Sequence, residues 1–580
     1  MDFVSIIENY LKTIIKDCGY ELENVQILPT NRKEFGDYQF NDAMSLAKKY
    51  GKNPREIATE IINKINTPLI SKVEIAGPGF INLTFNNNEL VNYLNELNEN
   101  IELNYEKHNK TIFIDYGGAN VAKALHVGHL RSANIGQALY NLVKSCGYSV
   151  IGDAHLGDIG RQSGMIISEI MKRNPELPFN NPDFNGVIPN DFKITIDDLA
   201  EMYPKASLAA KEDDARLEEV RKITAELEQG HKGYIALWNM CKDISIEDIK
   251  RIYKRINTDF DLWLGELDSL EFIDDTIKVF ADKNLILDSE GAKIIDIKEE
   301  TDKVNIPPLL LIKSNGTYSY ETTDLASIYD RVKNYNPDEI WYVVDSRQGL
   351  HFEQVFRAAK KAELVSESVN LEFVGFGTIN GTDGKPFKTR DGGVMPLESL
   401  IELVKKEVEK KILPNIIGEE RNKIAETVAI AAIKYADLLP NRSTDYIFDP
   451  IKFSDITGKT GTYLLYSTVR MNSLLKKATE SSIRFSKIKK LNFGIDRDII
   501  ITLLGLKKVI DNAINVKSLN EIAEFLYKIT NLYNNFYTDN HILTETDEDL
   551  RESWLVLTKI IAENNTKLLS ILGIDIPQRM

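Results

Sequence analysis

The chain has 580 residues, 43% hydrophobic and 27% charged, which excludes a disordered or fibrous protein and leaves room for about three or four domains. Its 71 basic and 87 acidic residues give a net charge of −16, which opposes indiscriminate binding to DNA or anionic membranes but permits one local basic face. Cys18, Cys146 and Cys241 lie far apart with no CxxC pair, and no apolar run reaches a membrane span, so the expectation is a reduced, cytosolic protein without a cysteine zinc centre or disulfide framework.

The N-terminus is broken by Asp2, Glu8 and Lys12, unlike a signal peptide. Val4, Ile7, Leu11, Ile14 and Cys18 step by three and four, which predicts one face of a helix. Residues 1 to about 105 read as a small α/β unit whose strand run VEIAGPGFINLTF is interrupted at Gly77-Pro78-Gly79. TIFIDYGG then starts a strand–loop–helix–strand order, continued by LRSANIGQALYNLVKSCG and YSVIGDAHLGD. That order predicts a βαβ unit and a parallel sheet. From about 170 to 260 the chain is helical and richly charged, the pattern of an insertion. Strand signals return at AKIIDI, PPLLLIK, EIWYVVD and LEFVGFG, and after about 455 the pattern is almost wholly helical.

The sharpest chemical signal is His126-Val127-Gly128-His129, in a loop that follows a strand and opens a helix. Two imidazoles three residues apart at a helix N-terminus, with its free N–H groups and positive dipole, suit an anionic group. Gly128 leaves room for a flat base against the backbone. With 7 His and 33 Gly in the chain, a chance HxGH is expected only about 0.005 times. The plain alternatives are a core histidine pair and an incidental helix cap.

HVGH resembles the HIGH motif of class I aminoacyl-tRNA synthetases, and NVAKALHVGHLRSANIG resembles the arginyl-tRNA synthetases in particular. EFGDYQFNDAMSLAKKYGKNPREIA, GPGFINL, HLGDIGRQSG, YETTDLASI, VVDSRQGLHFEQVF, GKPFKTRDGG, KYADLLPNRSTDYIFD and LLSILGIDIPQRM follow in family order. The resemblance implies three units: a small N-terminal α/β domain (1–105), a Rossmann-like parallel-sheet domain (106–454, insertion at about 170–260) and a helical anticodon-binding domain (455–580). It implies ATP-dependent activation of L-arginine and its transfer to tRNA(Arg), with Mg2+ accompanying ATP without a dedicated protein cage, by a cytoplasmic monomer with no membrane partner. His126, Gly128 and His129 would bind ATP. The loop from Lys385 to Arg390, with Lys388 between them, stands where the family carries KMSKS; its register leaves both Lys388 and Arg390 as candidates for the transferring phosphate. Alone it would read as a solvated basic turn. Lys123 is a further cation just upstream of the histidines.

Arginine recognition calls for carboxylates and flat hydrogen-bonding groups around a guanidinium. Tyr320 and Asp324, one helical turn apart, are candidates with Gln348, and the resemblance adds Asp115, Asn120 and Glu266. Taken singly, Asp324 is as well a helix cap, Asn120 a turn residue and Glu266 a surface carboxylate. His155 and His351 fall in matched motifs, with a structural role the equal alternative. For tRNA, the resemblance points to Phe80 and Asn82 at the D-loop, a stacking ring beside a base-edge reader. It points to Tyr463, Tyr466, Arg470 and Met580 at the anticodon. Gly117-Gly118-Ala119 and Ile159 depart from the commoner Ser-Ser-Pro and tryptophan. The rival functions are a small-molecule nucleotidyltransferase, opposed by the length and the helical last third, and a non-catalytic RNA-binding paralogue, opposed by the intact histidines and lysines.

Overall fold

The computed structural model describes residues 2–580 except 31, 100–104, 106, 159, 182–183, 185 and 386–394. The first helix, α1 (Phe3–Asp17), buries Val4, Ile7, Leu11 and Ile14, the stripe read from the sequence, and Asp2 caps it by accepting from Ser5 N. Strands β1 (Ile27–Pro29) and β2 (Tyr38–Phe40) are followed by α2 (Ala43–Tyr50) and α3 (Pro54–Ile62). A hairpin of β3 (Ile70–Ala76) and β4 (Phe80–Phe85) then leads to α4 (Asn87–Glu99). The sheet order is β1-β2-β4-β3, all antiparallel.

The parallel sheet is assembled next. β5 (Thr111–Asp115), α5 (Val127–Ser145) and β6 (Ser149–Asp153) form the expected βαβ unit. Four helices follow: α6 (Arg161–Arg173), α7 (Ile196–Glu212), α8 (Asp214–Glu228) and α9 (Lys232–Arg255). The chain then returns beside β6, where Ala154 N donates to Leu262 O and Leu156 N to Leu264 O. This return delivers α10 (Glu266–Ser269) and α11 (Ile273–Asp282).

Two of the four later strand signals do not join the parallel sheet. β7 (Ile286–Ser289), β8 (Ala292–Ile295) and β9 (Leu309–Ile312) make a separate antiparallel sheet, because β7 and β8 pair across a short turn at Glu290-Gly291. After α12 (Tyr320–Tyr335) come β10 (Glu339–Tyr342), α13 (Gly349–Lys361) and β11 (Asn370–Phe373). The parallel order is β11-β10-β5-β6. The chain leaves β5 for β6 on one side and reaches β10 on the other, so a crevice opens beyond the C-terminal ends of β5 and β10.

The remaining elements are β12 (Ile379–Asn380), α14 (Leu397–Glu409), α15 (Gly418–Leu438), β13 (Tyr446–Ile447) and α16 (Pro450–Phe453). The helical last part holds α17 (Gly461–Glu480), α18 (Ile495–Leu504), α19 (Leu506–Val516), α20 (Asn520–Asp539) and α21 (Glu548–Ile571). α17 packs on α15 and α21 on α5, so a cut near residue 455 would strip cover from the parallel-sheet unit. Among the described residues, no helix is long and apolar enough to cross a membrane.

The N-terminal unit also docks on the last helices. Arg497 of α18 meets the Asp37 carboxylate with both forks, Nε to Oδ1 at 3.0 Å and Nη2 to Oδ2 at 2.6 Å, and adds a bond to Phe85 O. Asp37 Oδ2 also accepts from Phe85 N at 2.7 Å. Arg497→Met strands the Asp37 charge at this interface. The expected cost is about 3–5 kcal/mol, read as a lower thermal midpoint for the N-terminal unit and faster proteolysis between it and the rest of the chain.

Candidate active site

The loop after β5 and the first turn of α5 build one wall of the crevice. His126 is the N-cap of α5; its Nδ1 accepts from Gly128 N at 3.0 Å, while His129 Nδ1 accepts from His126 N at 3.0 Å. The two rings lie 3.9 Å apart, centroid to centroid. Each Nδ1 is thus an acceptor, so each neutral ring carries its proton on Nε2. Burial, the other imidazole and Lys123 push the His129 pKa down to about 3. Burial and Lys123 lower His126 as well. The pair is a set of neutral Nε2–H donors at a helix N-terminus. Gly128 is exposed, and its missing Cβ also has a second use: a methyl there would sit 2.8 Å from His126 Cε1. Lys123 lies with its ammonium 4.6 Å from the centroid of Tyr203, on α7.

The segment just past the lysine-rich loop is stitched to this wall. Val127 N donates to Met395 O at 3.0 Å and Leu397 N to Leu125 O at 3.0 Å. On the other side of the loop, Lys385 is exposed and closes a turn in which Gly381 N donates to Lys385 O at 2.7 Å. Lys388 and Arg390 lie outside the described residues, as does Ile159. Gly117 has φ +65°, and a Cβ there would meet the Phe260 ring at 2.7 Å. This departure from Ser is therefore built into the backbone. Tyr253 OH donates to Gly117 O at 2.6 Å, and Gly117 N donates to Ser132 Oγ at 2.7 Å. Asn120 is exposed at the crevice, next to Gly157, whose missing Cβ makes room for Asn120 Oδ1.

The floor is a buried charge cluster. Parallel register puts Asp115 and Asp153 side by side at the ends of β5 and β6, with Tyr342 opposite on β10. Arg331 of α12 places Nη2 at 2.6 Å from Asp115 Oδ2 and 3.0 Å from Asp153 Oδ2. Its guanidinium carbon lies 4.8 Å from the Phe113 ring centroid. Asp115, expected at the substrate's ammonium, therefore already holds an internal cation. Burial opposes the charge on His155, but the Asp153 carboxylate, 3.6 Å from Nδ1, outweighs it and lifts its pKa to about 9. Asp115, Asp153 and His155 approach metal-ligand spacing, yet the Arg331 guanidinium fills the space between the two carboxylates, so the cluster does not fit a cation.

The opposite wall is the first turn of α12 against the first turn of α13. Ser319, not Asp324, caps α12. Asp324 instead meets His351: His351 Nε2 lies 2.5 Å from Asp324 Oδ2, and Nδ1 lies 3.7 Å from Glu321 Oε1. Burial lowers the His351 pKa, but the two carboxylates outweigh it and raise it to about 10. Tyr320 is largely exposed, and burial, Glu266 and Glu228 raise its phenol pKa. Gln348 is exposed in the turn that leads into α13. Tyr320, Asp324 and His351 thus come together at the first turns of α12 and α13, with Glu266 near enough to act on the Tyr320 phenol and Gln348 in the adjoining turn.

The tRNA candidates divide. Phe80 is half-buried at the start of β4. Asn82 is not a turn residue: it is 5% exposed inside β4, with Oδ1 accepting from Gln39 Nε2 at 2.6 Å. Alternation puts its side chain on the face of β4 opposite the core-facing Ile81 and Leu83, flanked by the cross-strand partners Gln39 and Glu74. Tyr466 is exposed, whereas Tyr463 and Arg470 turn onto Asn534 of α20. Met580 packs partly on the core, and the preceding Arg579 pairs with Glu420 of α15.

Arg331 and Glu321 escaped the sequence reading. The available signal was a polar stripe at Asp324, Ser327 and Arg331, three and seven residues apart on a helix that otherwise buries Leu325 and Ile328.

Comparison with known proteins agrees with this architecture. The family model "tRNA synthetases class I (R), catalytic domain" matches residues 92–450. "Arginyl tRNA synthetase N terminal domain" matches 5–85 and "DALR anticodon binding domain" 464–580. The central unit is therefore a class I synthetase domain. A relative from Alkaliphilus oremlandii, arginine–tRNA ligase, is 40% identical over 580 residues, covering 99% of both chains. A second, from Francisella tularensis subsp. novicida, is 39% identical over 99% of this chain and 100% of its own. The fold matches the crystal structure of the Plasmodium falciparum arginyl-tRNA synthetase with a TM-score of 0.82 at 24% identity, over 100% of this chain and 99% of that one. The chain belongs to the arginyl-tRNA synthetase family.

Two outcomes test the site. His126→Asn and His129→Asn should each leave the fold intact and slow adenylate formation by about 10²–10³, the loss of one donor to developing negative charge; single-turnover pyrophosphate release reads it. The second outcome is a pH dependence. His129 is held near pKa 3 in the fold against 6.5 unfolded. The unfolded chain therefore binds the extra proton first, and stability falls as pH drops from about 6.5 toward 3, by about 1.4 kcal/mol per pH unit. His129→Asn should remove that part of the slope in denaturant titrations at pH 5 to 7 (about one proton).

Proposed function

We propose that this chain is an arginine–tRNA ligase: it activates L-arginine with ATP and transfers it to the 3′ end of tRNA(Arg). What supports the reading is the pair of fixed Nε2–H donors of His126 and His129 at the N-terminus of α5, together with the carboxylates of Glu321 and Asp324 in the first turns of α12. The arginine carboxylate attacks the α-phosphorus of ATP and pyrophosphate leaves. The terminal ribose hydroxyl of tRNA then attacks the adenylate carbonyl, and AMP leaves. No side-chain nucleophile is required; both steps rest on positioning and on charge stabilisation.

Neutral imidazoles suit this task because they donate to phosphate oxygens without forming an ion pair that would hold the ground state as tightly as the transition state. Lys123, Lys385, Lys388 and Arg390 supply the cations as charge builds on pyrophosphate. Magnesium enters as the counter-ion of ATP. Tyr320, Asp324 and Gln348 receive the guanidinium, with Glu266 beside them, and Asn120 takes a polar group at the substrate's α-carbon. Phe80 meets the D-loop, and Tyr466 is the exposed ring for the anticodon, with Tyr463, Arg470 and Met580 shaping the surface behind it. The enzyme works as a cytoplasmic monomer. Charging of total tRNA with each of the twenty amino acids tests the assignment; only arginine should be esterified.

The pocket chemistry makes a sharper prediction. A site built for a planar fork leaves polar groups unpaired when lysine binds, and such sites reject an analogue by about 10⁴ without editing. Asp324→Ala should lower kcat/KM for arginine by very roughly 10²–10³ and cost lysine far less. Pyrophosphate exchange with tRNA present measures the arginine-to-lysine ratio, which should collapse. An unchanged ratio would transfer the role to Glu266.

A further inference from the structure

The carboxylate assigned to the substrate's guanidinium already has a hydrogen-bond partner inside the protein. Asp324 Oδ2 lies 2.5 Å from His351 Nε2, and the other nitrogen of that ring faces Glu321 Oε1 at 3.7 Å. Glu321 and Asp324 are three residues apart in the first turns of α12, so they share a helix face and grip one imidazole between them. His351 stands in the first turn of α13, three residues after Gln348. One short turn therefore carries both the amide expected to line the pocket and the ring that holds its carboxylate. The trio is not a surface accident: the His351 side chain is 26% exposed and both carboxylates are 24% exposed. The ring edge also abuts Phe352, centroids 5.2 Å apart at 89°.

We propose that His351 is the positioning residue that makes this pocket selective for a guanidinium over an ammonium. The inference rests on the reading that Asp324 receives the substrate's side chain. By donating through Nε2, His351 fixes the plane of the Asp324 carboxylate and occupies Oδ2, leaving Oδ1 as the oxygen with open lone pairs. It also places a cation at the back of that carboxylate. A lysine ammonium is compact and strongly hydrated, and leaving water requires a carboxylate whose charge is not already shared. A guanidinium is more weakly hydrated and spreads its donors over several acceptors, so it binds with Oδ1 of Asp324, Tyr320 and Gln348 together. The charge of His351 thus costs attraction for any cation; for arginine the fixed carboxylate orientation more than offsets that cost, and for lysine it does not. Glu321 takes part by holding the far side of the ring, which keeps the imidazole from swinging away from Asp324.

The test compares His351→Ala, His351→Gln and Asp324→Asn by tRNA-dependent pyrophosphate exchange on the full-length enzyme, with arginine, with lysine and with ATP varied. In His351→Ala, KM for arginine should rise about 10- to 100-fold, the loss that accompanies one hydrogen bond to a charged group. KM for ATP should stay within about twofold, and the arginine-to-lysine ratio should fall about tenfold or more. Glutamine can replace the Nε2 donor but not the charge. His351→Gln should therefore recover most of the arginine KM while the lysine rejection stays relaxed. If His351→Ala lowers kcat and shifts the KM values of arginine and ATP alike, with the ratio unchanged, the residue is structural and the proposal fails. If Asp324→Asn leaves arginine binding untouched, the underlying reading of Asp324 fails and takes the proposal with it. If Asp324→Asn weakens arginine while both His351 variants behave as wild type, only the role of His351 is overturned.

Discussion

The Arg331 guanidinium is the contact on which the architecture of the crevice rests. Parallel pairing in register forces Asp115 and Asp153 next to each other at the sheet's C-terminal edge, where both are buried. Two adjacent carboxylates in a low-dielectric site repel strongly unless a cation lies between them. That cation comes from α12, not from the sheet. Satisfying the sheet edge therefore fixes the height and rotation of α12. Asp324 lies seven residues before Arg331, two turns along the same face. The side chain that neutralises the floor thus also aims the first turn of α12 at the crevice.

The opposite wall is set by shorter-range forces. A helix N-terminus leaves backbone N–H groups without partners, and here two of the local N–H donors are taken by imidazole nitrogens. The capping bonds and the tautomer are one and the same requirement: Nδ1 accepts locally only if Nε2 carries the proton. The chain then returns from a distance of more than 250 residues to lay Met395 and Leu397 against Val127 and Leu125. Backbone ladder bonds depend little on side-chain identity, so the segment after the basic loop keeps its register even where KPFKTR replaces the commoner sequence.

What was legible in the sequence follows this division between local and distant causes. The α1 stripe, the βαβ unit around HVGH and the helical insertion each depend on periodicity or capping within a few residues, and those features stand in the structure. The assignment of later strands to sheets was not legible, since AKII and LLLI have the same composition whether their partner is a hairpin neighbour or a crossover strand. Side-chain partners across the fold were equally hidden. Nothing near Asp324 in the sequence announces His351, 27 residues on. Arg331 reads locally as a solvated helix charge. The cover over Asn82 was hidden in the same way: its flanking residues Gln39 and Glu74 come from β2 and β3, and only the pairing reveals them.

The resulting electrostatics are divided across the crevice in the sense the chemistry needs. On the α12 side, Glu321 and Asp324 hold one imidazolium while Glu266 and Glu228 act on the Tyr320 phenol, leaving a surplus of negative charge there. On the α5 side, the imidazoles are neutral because burial and the Lys123 charge both disfavour a proton there. A phosphate placed on that side meets hydrogen-bond donors, a helix N-terminus and one ammonium, without a carboxylate among the residues that perturb the two rings. The net charge of −16 would by itself repel ATP. A strongly acidic chain thus keeps carboxylates from dominating that helix end: Asp115 and Asp153 are committed to Arg331, and Glu321 and Asp324 to His351.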